Sequence, residues 1–167
     1  RAKTLKDEAI NIEDSLLAEE LVNKSISIEP NLVEAKLLLA RIYFEAIWAK
    51  TKKYTGFHLK FDREDSILYQ NQIELLNNSL DIAISQNNIK LAGIAKRYLG
   101  NAVYQFGGLD SSEVVVKHWD EALEIAKQIN DKQAQMDCLS NLGTLYTTTD
   151  FEKANKLLLE VLKISKS

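Results

Sequence analysis

Apolar side chains return along this chain at helical intervals. Val115, Trp119 and Ala122 fall at i, i+4 and i+7, which places them on one face of an α-helix. Ala154, Leu158 and Val161 repeat the spacing towards the C-terminus, and Ala18, Val22 and Ser25 repeat it towards the N-terminus. Helix-start signals accompany the pattern. Asp110-x-x-Glu113 and Thr149-x-x-Glu152 read as capping boxes, in which a side-chain oxygen accepts from a free N–H of the first turn. Asn88 and Asp131 stand just before further helical stretches and are predicted to cap them. The richest apolar run, Leu37 to Ala49, is broken by Arg41 and Glu45 and falls short of a membrane span. Its helix is predicted to continue to about Lys52, then a loop, then a helix from about Arg63.

The pattern also repeats on a longer scale. Leu80, Ile82, Ala83 and Asn87 recur 43 residues later as Leu123, Ile125, Ala126 and Asn130. The same interval carries Ala95 to Cys138, Leu99 to Leu142 and Gly100 to Gly143. Composition agrees with long helices and short breaks, because 167 residues contain 6 Gly and 1 Pro. A loop-rich, disordered or all-β chain would need many more turn residues. Gly inside a helix costs about 1 kcal/mol relative to Ala, so its return at 100 and 143 requires a packing benefit. The predicted benefit is a close crossing of two helices. Gly93 has no such assignment.

Leu142-Gly143-x-x-Tyr146, followed by Asp150, Phe151, Ala154, Leu158 and Val161, resembles a tetratricopeptide repeat. That family places a Leu-Gly pair and a Tyr on helix A, then small, large and small residues on helix B. Leu99-Gly100-x-x-Val103 with Val115, Trp119 and Ala122 is a second match. Leu39-Ala40-x-x-Tyr43 with Leu76 and Ser79 is a more degenerate one, with Gln72 at a usually small position. Ala18, Val22, Ser25 and Pro30 match the helix B half of a truncated first copy. The resemblance implies an all-α fold, a right-handed α–α superhelix of about four helix pairs. The first pair is expected to be incomplete and the second to carry an insertion, all in one repeat domain over 1–167. Later links are longer than the first: 20 residues from Ser79 to Leu99 and from Ala122 to Leu142, against 14 from Ser25 to Leu39. This resembles the longer-helix variety found in signalling scaffolds. The stretch from Ile12 to Tyr43 also resembles the helical-repeat region of some bacterial class III nucleotide cyclases and repeat-bearing transcription regulators.

Little in the chain suggests chemistry. The net charge is −3, with no general attraction to nucleic acid or anionic membrane. The one cysteine, Cys138, cannot form an internal disulfide, and a reducing, cytoplasmic setting is the expectation. It sits where the repeat packs small residues, so buried filler is favoured over a nucleophile. His58 and His118 lie 60 residues apart without metal-ligand spacing, and His118 is expected to face outward. Gly107-Gly108 follows a helix, not a strand, and so forms no phosphate loop. No cofactor, no metal and no catalytic centre are expected. Residue 1 is Arg, and the expectation is a segment of a longer protein with no visible signal peptide.

Docking is the better reading. In such a superhelix the A helices line a concave groove. The groove positions are Leu37, Arg41 and Phe44 in the second copy, Arg97, Asn101 and Tyr104 in the third, and Asp137, Ser140, Asn141 and Thr144 in the fourth. Arg97, Asn101 and Asn141 match three positions of the family's carboxylate clamp, which uses Lys where Arg97 stands. The bland alternative is ordinary polar helix surface. In the insertion, Lys50, Lys52, Lys53, Lys60 and Arg63 interleave with Trp48, Tyr54, Phe57 and Phe61. Aromatic pinning of a loop is favoured there, then protein contact, then single-stranded nucleic acid. Leu157, Leu158, Leu159, Val161, Leu162 and Ile164 are too many apolar residues for one face of a last helix, so a further repeat or self-association is expected. The expected function is a protein–protein interaction module that takes a peptide or helix in its groove, within a signalling or regulatory protein. The alternative is a non-catalytic regulatory segment of a multidomain enzyme such as a nucleotide cyclase.

Overall fold

Every regular element in the computed structural model is helical, and it describes residues 1–10, 15–51 and 62–166. Lys52, Lys53, Tyr54, Phe57, His58, Lys60 and Phe61 of the insertion lie outside the described residues, as does the side chain of Lys50. The chain divides into two compact units, Arg1–Asn87 and Asn88–Ser167. The first holds α1 (Ala2–Ile10), α2 (Ser15–Ile28), α3 (Val33–Thr51) and α4 (Arg63–Ser85). The second holds α5 (Ile89–Gly107), a 3-10 turn (Gly108–Ser111), α6 (Ser112–Gln128), α7 (Lys132–Tyr146) and α8 (Phe151–Ser165). Neighbouring helices pack as hairpins, α1 on α2, α3 on α4, α5 on α6 and α7 on α8, and α6 also packs on α7. No helix is long and apolar enough to cross a membrane, among the described residues.

The helix ends follow from short polar side chains. Asn88 accepts from the Leu91 N–H at 3.1 Å and Asp131 from the Ala134 N–H at 3.0 Å, as their positions predict. Asn87 and Asn130, 43 residues apart, both leave their helices at positive φ, 53° and 54°. Asn tolerates this conformation better than most residues, and it lets the chain turn at once into a capped helix. At Asn130 the turn is a Schellman ending, in which the Asp131 N–H donates to Ala126 O at 2.9 Å and the Asn130 N–H to Lys127 O at 3.1 Å.

Both predicted capping boxes are displaced. Asp110 is absorbed into the 3-10 turn, and α6 begins after Ser111 with no side-chain cap. At α8 the cap is Asp150, not Thr149. The Asp150 N–H donates to Tyr146 O at 2.8 Å, which brings its carboxylate to accept from the Lys153 N–H at 3.0 Å. A true capping box stands where the sequence reading placed a plain helix start. Asp62 accepts from the Asp65 N–H at 2.8 Å, and Asp65 accepts from the Asp62 N–H at 3.1 Å.

In the first unit Ala18, Val22, Leu32, Ala35, Leu38 and Leu39 form the buried core. The first pair is not merely the second half of one. A nine-residue α1 precedes α2, with Ala2 buried in the same core and its carbonyl accepting from the buried Ser25 hydroxyl at 2.8 Å. Gln72, an outlier from the repeat pattern, is accommodated because its amide donates to Ala40 O across the α3–α4 crossing at 2.9 Å.

In the second unit Val115, Trp119, Ala122, Leu123, Cys138, Leu139, Leu142 and Leu145 form the core. The glycines make room for side chains of the next helix rather than for its backbone. A Cβ on Gly100 would lie 2.5 Å from Trp119 Cδ1, one on Gly143 2.9 Å from Leu158 Cδ2, and one on Gly93 2.7 Å from Ile125 Cγ2. Gly93 thereby gains the reason it lacked. Along α8, Ala154 is buried, but Leu158, Leu159 and Leu162 are 38%, 47% and 54% exposed.

Gly100→Ala is expected to destabilise the protein by about 1–3 kcal/mol in urea unfolding, against the roughly 1 kcal/mol that Ala gains in helix propensity. An unchanged or raised midpoint would rule out the tight Gly100–Trp119 contact.

Candidate docking face on helices α5 and α7

Arg97, Asn101 and Tyr104 follow each other at helical spacing on α5, and Gln133, Asp137, Asn141 and Thr144 do so on α7. Two rungs join the helices, each linking residues 40 apart in sequence. In the first, the Arg97 guanidinium donates to the Asp137 carboxylate. Gln133 donates to the other oxygen of Asp137 at 2.8 Å, and the guanidinium lies 5.3 Å from the centre of the Tyr98 ring. In the second, the Asn101 side-chain oxygen accepts twice, from Trp119 Nε1 at 2.9 Å and from Asn141 Nδ2 at 3.0 Å. Indole can only donate, so the bond from Trp119 fixes which way the Asn101 amide points. Tyr104 packs against the same indole, with ring centres 5.7 Å apart at 54°.

This geometry answers the carboxylate-clamp resemblance directly. Arg97 already holds a carboxylate, that of Asp137 in the same unit. Asn101 and Asn141 hold each other. Two amide ends of this rung make no bond to the described residues: the NH2 of Asn101 and the oxygen of Asn141, on half-buried residues one rung below the ion pair. Thr144 is exposed, and its hydroxyl donates back to Ser140 O at 2.8 Å.

The three groove positions of the first unit are placed differently. Leu37 is buried, at 5% exposure, and offers no surface. Arg41 is exposed and pairs with Glu45 one turn on at 3.5 Å. Phe44 stacks on Trp48 with ring centres 6.3 Å apart. Sequence reasoning missed Trp119, Gln133 and Tyr98 as members of the polar face. The signal for Trp119 was present, since a buried indole N–H needs an acceptor and Asn101 follows the glycine beneath it.

The reactive side chains are held quiet. Cys138 is buried, and burial pushes its thiol up to about 11, with Arg97 pulling the other way. Beside it lies a cavity of about 20 Å³ bordered by Gly93, Ile125 and Arg97, room for roughly one water. His118 does not face fully outward. It is half-buried on α6 with a buried Nδ1 that has no hydrogen-bond partner, and burial lowers its affinity for a proton while Glu121 opposes the shift. Glu121 itself is held below the ordinary carboxylate range, chiefly by its hydrogen bond from Lys96. Among the described residues, no three His, Cys, Asp or Glu side chains group as metal ligands. The sequence matches no protein-family model and no curated protein.

Asn101→Ala strands the Trp119 and Asn141 donors, and is expected to cost about 1–3 kcal/mol in denaturant unfolding and to shift tryptophan fluorescence. A loss under a few tenths of a kcal/mol would show the shared acceptor to be dispensable. Cys138 is expected to react with DTNB at pH 8 only after unfolding, because the thiolate is scarce and buried. Prompt labelling of the folded protein would contradict its burial.

Proposed function

We propose that this chain is a tetratricopeptide-like module, a right-handed superhelix of about four helix pairs without chemistry of its own. It docks a peptide or helix from a protein partner on the A-helix face that includes α5 and α7. The repeat reading is supported by the 43-residue interval, at which both the capping residues and the left-handed asparagines recur. The observation that carries the docking reading is the second rung. Trp119 locks Asn101, which leaves one amide donor and one amide acceptor on the two half-buried residues of the rung. Together they match the N–H and C=O of one residue in an extended peptide, which point to the same side of the strand. Tyr104 beside them offers an aromatic edge for an apolar side chain, and the Arg97–Asp137 pair borders the site with both charges. The same residues suit backbone recognition better than capture of a terminal carboxylate, because Arg97 is already neutralised.

Random-peptide display on the purified protein tests this. Enriched peptides are expected to slow amide exchange in α5 and α7, and Asn141→Ala to weaken them about 5- to 30-fold, the equivalent of one or two hydrogen bonds. Amidating their C-termini is expected to change little. A panel with no enriched peptide, or protection confined to other helices, would overturn the docking reading. Loss of binding on amidation together with Arg97→Ala would restore the carboxylate clamp.

A further inference from the structure

The lengthened turn between α5 and α6 has no part in the polar face, yet it builds something. Gly108 takes a φ of +55°, which side-chain-bearing residues rarely adopt, and releases the chain from α5 into the 3-10 turn. The turn holds up Leu109, which stays 49% exposed. Leu109, Ser112, Glu113 and Val116 form one wall of a concavity of about 290 Å³, and Leu145, Tyr146 and Thr149 at the end of α7 form the other. A cavity of roughly 150 Å³ is enough to take a benzene ring, so this one has room for a ring with a short chain. Its lining is mostly apolar, with three hydroxyls and one carboxylate.

Carboxylates outnumber ammonium groups around it. Among the described residues, Glu113 is the charged residue in the lining, and it makes no ion pair. Asp110 lies in the same turn, and Asp150 follows Thr149 on the opposite wall. Lys153 holds its ammonium 3.9 Å from the centre of the Tyr146 ring, a positive charge beside that wall. Lys117, next to Val116, is exposed.

We propose that this concavity binds an amphiphilic cation. A bulky apolar group, aromatic or branched, seats against Leu109, Val116, Leu145 and Tyr146, and an ammonium or guanidinium group reaches the Glu113 carboxylate. The occupant is a small molecule of the arylalkylamine class. The site shares no residue with the polar face of α5 and α7, so either can fail without the other.

Titration of isotope-labelled protein with 4-phenylbutylamine, 4-phenylbutanol and 4-phenylbutyrate, followed by NMR, tests it. The amine is expected to shift the Leu109, Val116, Leu145 and Thr149 resonances and to bind about tenfold more tightly than the acid, with the alcohol between. Glu113→Gln, an exposed substitution that leaves the remaining spectrum in place, is expected to make amine and alcohol equal. No shift of these resonances up to about 10 mM, equal binding of amine and acid, or an amine preference that survives Glu113→Gln would each overturn the proposal.

Discussion

The second unit depends on the fit of one indole into the space above a glycine. Trp119 lies against Gly100 so closely that no Cβ fits between them. Burying an indole gains much apolar contact, but its N–H must find an acceptor. Asn101, the residue after the glycine, supplies it. Adjacent positions on α5 thus meet both halves of one side chain, and the α5–α6 crossing is set by this arrangement. The consequence reaches α7, because the same Asn101 oxygen receives Asn141. A packing solution between two helices thereby aligns polar groups on a third.

That coupling gives the polar face its character. A lone asparagine on a helix surface can turn its amide either way, whereas Asn101 is held with its oxygen inward and its NH2 available. The ion pair of Arg97 with Asp137 is braced by Gln133 and Tyr98. The face is therefore preorganised, and an ordered donor–acceptor pair costs less entropy to engage than mobile side chains do. The concavity beyond the 3-10 turn is different in kind. It is mostly apolar, carries the Glu113 carboxylate, and is walled on one side by the 3-10 turn and the start of α6. The two surfaces differ in chemistry, with paired amides on one and an apolar concavity edged by a carboxylate on the other.

Legibility in the sequence followed the range of the interaction. The caps at Asn88 and Asp131 were readable because a cap bonds three residues away along the same chain. Placing the cap of α8 at Thr149 rather than Asp150 failed by one position. The preceding turn, closed by the Asp150 N–H on Tyr146 O, decides which oxygen faces the helix end. Gly100 and Gly143 were recognisable as packing sites from their spacing, while what they pack against was not. Gln72 looked like a defect in the pattern until its amide met the Ala40 carbonyl 32 residues away. Leu37 looked like surface from its register and is buried.

The sequence alone determined that this chain is helical, that part of it recurs at a 43-residue interval, and that Val115, Trp119, Ala122 and Leu142 face a core. These properties depend on periodicity and on contacts within a turn or two, which a linear pattern records. The tertiary structure decided which polar groups remain available. Whether Arg97 is open to an incoming carboxylate depends on Asp137, and whether Asn101 presents a donor depends on Trp119. Both partners lie far along the chain and come within hydrogen-bonding distance only when the helices pack.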